Sequence, residues 1–266
     1  MDIIKNAKRI VLKVGTSTLT HDTGKFNLHR IDKLARVLSD FRNAGKEIIL
    51  VSSGAMSAGA AKLRIDYKPA SIMEKQAIAA VGQTQLMRIY DQSFAMYGQT
   101  VGQILLTKYI IDHETTKENA QNTFNTLLKM GCLPIVNEND SVAFDEIKVG
   151  DNDTLSAYVA LICHADALII LSDTDGFYDS DPRTNPGAKL IRTVEKIDET
   201  ILSCAGGAGT DRGTGGSLTK LNAANIVCSH GIPMFIINGE NPDILYDMLE
   251  GRAAGTYFTA NQKETM

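Results

Sequence analysis

The sequence predicts an α/β fold whose sheet is mainly parallel, and three observations predict it. Apolar, β-branched runs such as Ile10-Val11-Leu12 and Ile48-Ile49-Leu50-Val51 read as strands buried on both faces. Between them Ile31, Leu34, Ala35, Leu38 and Phe41 form a stripe at helical spacing. The joints are short: Gly45 closes the helix, and Ser52-Ser53-Gly54 turns the second strand into another helix. Strand, helix, strand with short joints is the βαβ unit of a parallel sheet.

The elements follow in order. Strands are expected at 9–14, 47–51, 103–106, 134–136, 168–171 and 232–237. Helices are expected at 28–44, 119–130, 154–164, 218–230 and 242–249. Pro69 breaks the chain, and 71–97 reads as one long helix with Met73, Ala77, Ala80, Met87, Tyr90 and Phe94 on one side. Such a stripe suits the core or a subunit interface. The stretch 179–187 carries two prolines and reads as an ordered loop or a lobe boundary. The stretch 204–216 is so glycine-rich that a flexible loop is expected.

Composition narrows the function. Of 266 residues, 44% are hydrophobic and 22% charged, enough apolar material for a core that needs no disulfide or metal. The net charge is −4 and the basic residues are scattered, so nucleic acid is not expected as a partner. The first nine residues lack a signal-peptide apolar region, and no stretch reaches the length of a membrane span. A cytoplasmic protein with no membrane partner is expected. Cys132, Cys163, Cys204 and Cys228 make no C-x-x-C pair. Cys163 and Cys228 fall on apolar helix faces, as free thiols in a reducing cytosol would. The five histidines show no H-x-x-x-H spacing, which argues against zinc.

Chemistry is concentrated where strands end. An open α/β sheet gathers those ends into one crevice, where ligands bind. Lys13-Val14-Gly15-Thr16-Ser17 closes the first strand. A lysine at an ordinary strand end is the plainer reading of Lys13, but the small polar residues after it leave room and donors for a phosphoryl oxygen. Ser52-Ser53-Gly54-Ala55 opens a helix whose free amides suit a carboxylate or phosphate, although a plain serine cap would read the same. A serine nucleophile is disfavoured, because the G-x-S-x-G elbow is absent.

Asn137-Glu138-Asn139-Asp140 and Asp151-Asn152-Asp153 place acids and amides on two further loops. Capping explains one residue of each. The surplus suits an ammonium group, a pair of lysines or water-held Mg²⁺. Gly213-Thr214-Gly215-Gly216-Ser217-Leu218-Thr219-Lys220 is neither a Walker A loop nor G-x-G-x-x-G, yet it offers free amides and a lysine to phosphates. A mobile surface loop is its plainer alternative.

Taken together, these segments resemble the amino acid kinase family over essentially the whole chain. The resemblance is carried by Lys13-Val14-Gly15-Thr16-Ser17, Val51-Ser52-Ser53-Gly54-Ala55, Asn137-Glu138-Asn139-Asp140, Ile147-Lys148-Val149-Gly150-Asp151-Asn152-Asp153, Ser172-Asp173, Asp175-Gly176-Phe177-Tyr178, Asp181-Pro182-Arg183 and the glycine segment ending at Lys220. Asp-Gly-x-Tyr followed by Asp-Pro is shared across the superfamily. Asn-Glu-Asn-Asp with Ile-Lys-Val-Gly-Asp-Asn-Asp is a much more specific resemblance, to the branch that phosphorylates the γ-carboxylate of L-glutamate, the first step of proline biosynthesis.

The resemblance implies a three-layer α-β-α sandwich around an open sheet of about eight strands, within one domain over 1–260. An acceptor-binding lobe would occupy about 1–165 and a nucleotide-binding lobe about 166–260. It implies ATP and Mg²⁺ as cofactors and proline as a feedback inhibitor. The long helix from Ser71 suits a homo-oligomer (dimer or tetramer), and the sequence departs from many relatives in lacking their C-terminal PUA domain. Lys13, Lys220 and Asp153 would be catalytic. Ser53, Gly54, Asn137, Asp140, Asp151 and Asn152 would hold glutamate. Lys13, Gly15, Ser172, Asp173 and the run Thr214, Gly215, Gly216, Ser217, Leu218, Thr219 and Lys220 would hold the nucleotide. Many relatives read Gly-Gly-Met-x-Thr-Lys where Gly216-Ser217-Leu218-Thr219-Lys220 stands; the lysine register is kept.

Other readings are a kinase for acetylglutamate, aspartate, carbamate or UMP, and a non-catalytic sensor of ATP or an amino acid. A nicotinamide dehydrogenase is the weakest, since its glycine fingerprint is missing.

Overall fold

The computed structural model describes residues 2–21, 23–65, 71–142, 151–206, 215–252 and 255–260. Its strands are β1 (Arg9–Val14), β2 (Glu47–Ser52), β3 (Thr100–Leu106), β4 (Cys132–Glu138), β5 (Ala167–Ser172), β6 (Thr193–Val194), β7 (Met234–Asn238) and β8 (Thr256–Phe258). They form one eight-stranded sheet in the order β3-β4-β2-β1-β5-β7-β8-β6. The first six in that order are parallel. β8 runs antiparallel to β7, and β6 runs parallel to β8. β6 and β8 were not foreseen in the sequence; runs of two and three residues are too short to show a period.

The helices are α1 (Ile3–Asn6), α2 (Thr16–Leu19), α3 (Leu28–Asn43), α4 (Ala55–Leu63), α5 (Ile72–Ala95), α6 (Lys108–Asp112), α7 (Glu114–Lys129), α8 (Asn152–Ile162), α9 (Glu199–Cys204), α10 (Gly215–Cys228) and α11 (Ile244–Leu249). Side chains alternate along each strand, so the sheet divides the core in two. Val11, Ile49, Val51, Val136, Leu168 and Ile170 pack under Phe124 of α7, Leu155 of α8 and Leu221 of α10. Ile10, Leu12, Ile48, Leu50, Ile135 and Ile169 pack under Leu38 of α3, Tyr90 of α5 and Leu245 of α11. The three-layer sandwich expected from the sequence is therefore present.

Two expectations are corrected. On α5, Met73, Ala77 and Ala80 are exposed, while Ile78, Ala79, Gly82, Leu86, Tyr90 and Phe94 are buried. The cause is a close crossing with α4. A Cβ on Gly82 would lie 1.6 Å from the carbonyl oxygen of Ala55, and one on Gly59 would lie 2.0 Å from that of Ile78. The glycines let the two backbones touch, and that contact fixes which face of α5 turns inward. The stretch 204–216 is also not loop throughout. Cys204 ends α9, and Gly215 and Gly216 open α10; residues 207–214 lie outside the described part of the chain.

Candidate active site

The site lies where β1 ends, between the ends of β2 and β5. In register, Lys13 pairs with Val51 on one side and Ile170 on the other. Two-residue alternation puts Lys13 on the same sheet face as Val11, and α8 and α10 cover that face. Asp153 comes from the first turn of α8, and Thr219 and Lys220 come from the second turn of α10.

Asp153 joins the two lysines. Lys13 Nζ is 2.6 Å from its Oδ1, and Lys220 Nζ is 3.4 Å from its Oδ2. The Thr219 hydroxyl donates to the same Oδ2 at 2.8 Å. The three charged side chains are 11%, 16% and 5% exposed, Lys13, Lys220 and Asp153 respectively. Burial alone would raise the Asp153 pKa. The two ammonium groups and the hydrogen bonds from Lys13 and Thr219 outweigh it and hold the carboxyl below the ordinary carboxylate range. The trio carries a net positive charge in a largely dry place, which suits a migrating anion. Gly15 and Gly216 flank the ammonium groups: a Cβ on either would sit 3.5 Å from Nζ of Lys13 or Lys220.

On the β2–β4 side is a cavity of about 250 Å³, lined by Ala55, Gln83, Glu138, Asn139 and Asp140 among others. A row of amides backs it. Asn152 Nδ2 donates to the Ser52 carbonyl (3.1 Å), Ser53 Oγ (2.8 Å) and Asn137 Oδ1 (3.0 Å). Asn137 Nδ2 donates to Gln83 Oε1 at 2.9 Å. Gly54, at φ +103°, takes the left-handed turn that starts α4.

On the β5 side is a larger cleft of about 790 Å³. It is lined by Ser172, Asp173, the loop from Thr174 to Thr184 (Asp175 excepted), the end of α9, and Gly216, Ser217 and Lys220. Arg183 stands at it with its guanidinium 3.8 Å from Asp173 and 3.5 Å from Asp181. Lys220 therefore both lines the larger cleft and reaches Asp153.

Residues 8–238 match the amino acid kinase family. The chain belongs to the amino acid kinase family. It is similar to the glutamate 5-kinase of Clostridium perfringens (strain 13 / Type A), 56% identical over 265 residues that cover 98% of each chain. The glutamate 5-kinase of Clostridium tetani (strain Massachusetts / E88) is 55% identical over 259 residues, 97% of each chain. That of Listeria innocua serovar 6a is 51% identical over 98% of this chain and 96% of its own. The solved structure of the isopentenyl phosphate kinase of T. acidophilum aligns with a TM-score of 0.65 over 94% of this chain and 99% of its own. At 17% identity that likeness shows the fold alone.

Within this amino acid kinase the expected site residues divide by what they touch. Lys13, Asp153 and Lys220 meet. Asp140 lines the smaller cavity, and Ser53 and Asn152 are linked to its lining residue Gln83 through Asn137; Gly54 directly precedes the lining residue Ala55. Asn137 is 2% exposed and supports Asn152 from behind. Asp151 caps α8, accepting from the Thr154 amide and hydroxyl, each at 2.8 Å. The Ser52 hydroxyl turns into the core toward Tyr90, so one of the two hydroxyls expected at this turn is occupied.

At the larger cleft, Leu218 is exposed and is not among the described lining residues, and the Thr219 hydroxyl is taken up by Asp153. Thr214 and the stretch 147–150 lie outside the described residues. Sequence reasoning missed Gln83 and gave Arg183 no role. Gly82, a costly residue in mid-helix, was the available signal for a close approach at that point of α5. Burial pushes the thiols of Cys163 and Cys228 up, the latter to about 11.

Proposed function

We propose that the chain transfers the γ-phosphoryl group of ATP to the γ-carboxylate of L-glutamate, forming L-glutamyl 5-phosphate for proline biosynthesis. The observation that carries the reading is one buried carboxylate, Asp153, held between Lys13 and Lys220, with Lys220 also lining the larger cleft. The relatives named glutamate 5-kinase, at 51–56% identity over nearly their full length, support the choice of acceptor.

The chemistry needs little beyond placement and charge. A carboxylate with an unperturbed pKa of about 4.3 is already ionised, so no general base is required. In this reading glutamate lies in the smaller cavity, with Asp140 facing its ammonium and the Ser53 hydroxyl, held by Asn152, at the reacting carboxylate. The nucleotide lies in the larger cleft along Ser172, Asp173 and the start of α10. Lys13 and Lys220 neutralise the phosphoryl group as it passes between two anions, and Asp153 keeps them aligned. The acceptor half corresponds to about 1–165 and the nucleotide half to about 166–260.

Mg²⁺ is part of the proposal. Among the described residues no group of three metal-binding side chains exists. The fit is therefore to an ion carried in on the phosphates, with Asp173 at the cleft available to its water shell. It would supply further charge neutralisation there. Inhibition by proline, as the pathway's end product, belongs to the same reading. So does a homo-oligomer, supported by exposed Leu63, Ile65, Ile72 and Met73 on either side of the α4–α5 connection. None of the described helices is long and apolar enough to cross a membrane, and a cytoplasmic location is proposed.

The test is an acid panel. With ATP, Mg²⁺ and hydroxylamine, glutamate should give hydroxamate and ADP in equal amounts, with acetylglutamate and aspartate giving far less. Equal turnover of acetylglutamate, which has no free ammonium for Asp140, would overturn the choice of acceptor.

A further inference from the structure

We infer that Gln83 binds the acceptor amino acid, its side-chain NH₂ donating to the α-carboxylate. The inference rests on the glutamate reading above and deepens it.

The direction of the amide row is fixed by main-chain groups that have no choice of role. The Glu138 N–H can only donate, and it donates to Asn137 Oδ1 at 2.9 Å. The Ser52 carbonyl can only accept, and it accepts from Asn152 Nδ2 at 3.1 Å. Both asparagines are therefore oriented, and Asn137 is left with its NH₂ toward α5. Gln83 must answer with its oxygen, at 2.9 Å. Its own NH₂ is left over, and the residue lines the smaller cavity. No protein partner for that NH₂ occurs among the described residues. Two donors without an acceptor, facing a site for a small polar molecule, are best answered by an ionised carboxylate.

Position decides which carboxylate. Lys13, Asp153, Asn152, Asn137 and Gln83 form a row of successive contacts or chain neighbours, with the phosphoryl-transfer lysine at one end. The reacting γ-carboxylate has to lie at the Lys13 end. Gln83, at the other end and lining the same cavity as Asp140, meets the α-carbon end of the substrate.

Gln83→Glu is the informative change. It keeps an oxygen for Asn137 and replaces the donor with an anion. Above about pH 7 the KM for glutamate should rise roughly 10- to 100-fold, the range for a lost hydrogen bond to a charged group. At saturating glutamate, kcat should change far less. The titratable groups lining the same cavity are Glu138 and Asp140, from the end of β4 and the turn after it; α4 contributes Ala55, and β3 contributes Gln103 and Leu105. When protonated, the introduced carboxyl donates again. The variant-to-wild-type ratio of KM should therefore narrow as pH falls from about 8 toward the carboxyl range. Gln83→Leu should raise KM with a ratio that does not change with pH.

A Gln83→Glu variant with KM near that of the wild type, or one that matches Gln83→Leu at every pH, would overturn the inference. Wild-type turnover is measured first. Its absence would sink the glutamate reading and this inference with it, whereas normal wild-type turnover beside an unaffected variant would sink this inference alone.

Discussion

Replacing Asp153 by asparagine removes the one anion between two ammonium groups and changes little else in shape. Lys13 and Lys220 each reach a separate oxygen of that carboxylate, at 2.6 and 3.4 Å, and are only 11% and 16% exposed. Neither can regain its hydration without leaving the site. Removing one partner from a buried ion pair costs about 3–5 kcal/mol. At roughly 2–4 °C per kcal/mol for a chain of this size, the melting temperature should fall by about 10 °C. Glutamate-dependent ADP release should drop on the order of 10²–10³-fold.

The pH dependence separates this account from simple misfolding. In the wild type the folded-state pKa of Asp153 is depressed. Its contribution is therefore complete above the unfolded carboxyl value near 4 and is lost as pH falls through the folded value. Between about pH 6 and 9 it should be flat. In the variant, two like charges share one buried place, and shedding a proton relieves them. The stability gap to wild type should shrink as pH rises from about 7 to 10. Scanning calorimetry across pH measures it. A melting temperature unchanged by the substitution, or a gap that is constant across that range, would refute the shared-carboxylate argument.

Lys13→Ala and Lys220→Ala should each lower kcat on the order of 10²–10³-fold while circular dichroism shows the fold retained; near-normal kcat in either would remove its role. Asp140→Ala should raise the KM for glutamate strongly and that for ATP little, measured by coupled ADP release; equal rises would contradict the division of the two sites. Gly82→Ala should cost about 1–3 kcal/mol by forcing α4 from α5, since its Cβ would lie 1.6 Å from the Ala55 oxygen. Because Ala55 and Gln83 both line the smaller cavity, the KM for glutamate should rise with it on the proposed reading. Tyr90→Phe removes the 2.8 Å bond to the Ser52 hydroxyl and should cost about 1 kcal/mol in urea unfolding, with kcat retained.

The sequence made the strand ends legible because glycine, serine and acid clusters interrupt apolar runs there, and ligand chemistry follows those interruptions. The meeting of Lys13 with Asp153 was latent in the two-residue alternation that sets Lys13 beside Val11, under α8. Local signals failed where long-range contact decides. Met73 and Ala77 fit a helical stripe as well as Ile78 does, and only the Gly59–Gly82 crossing tells them apart. Asn137 and Asp151 carry ligand-like chemistry and also serve their neighbours, one behind Asn152 and the other in capping α8. Gln83 could not be placed from sequence, because its donor is exposed to the cavity only through the orientation of Asn137, 54 residues away.

The central claim is that a glutamate carboxylate oxygen attacks phosphorus within the lysine clamp. It is tested most directly with glutamate carrying ¹⁸O in its γ-carboxylate, turned over with ATP and trapped with hydroxylamine. Attack at the acyl carbon releases phosphate that keeps the bridging oxygen, so one labelled atom per hydroxamate should appear in inorganic phosphate. Unlabelled phosphate alongside glutamate-dependent ADP release would mean that the carboxylate is not the nucleophile.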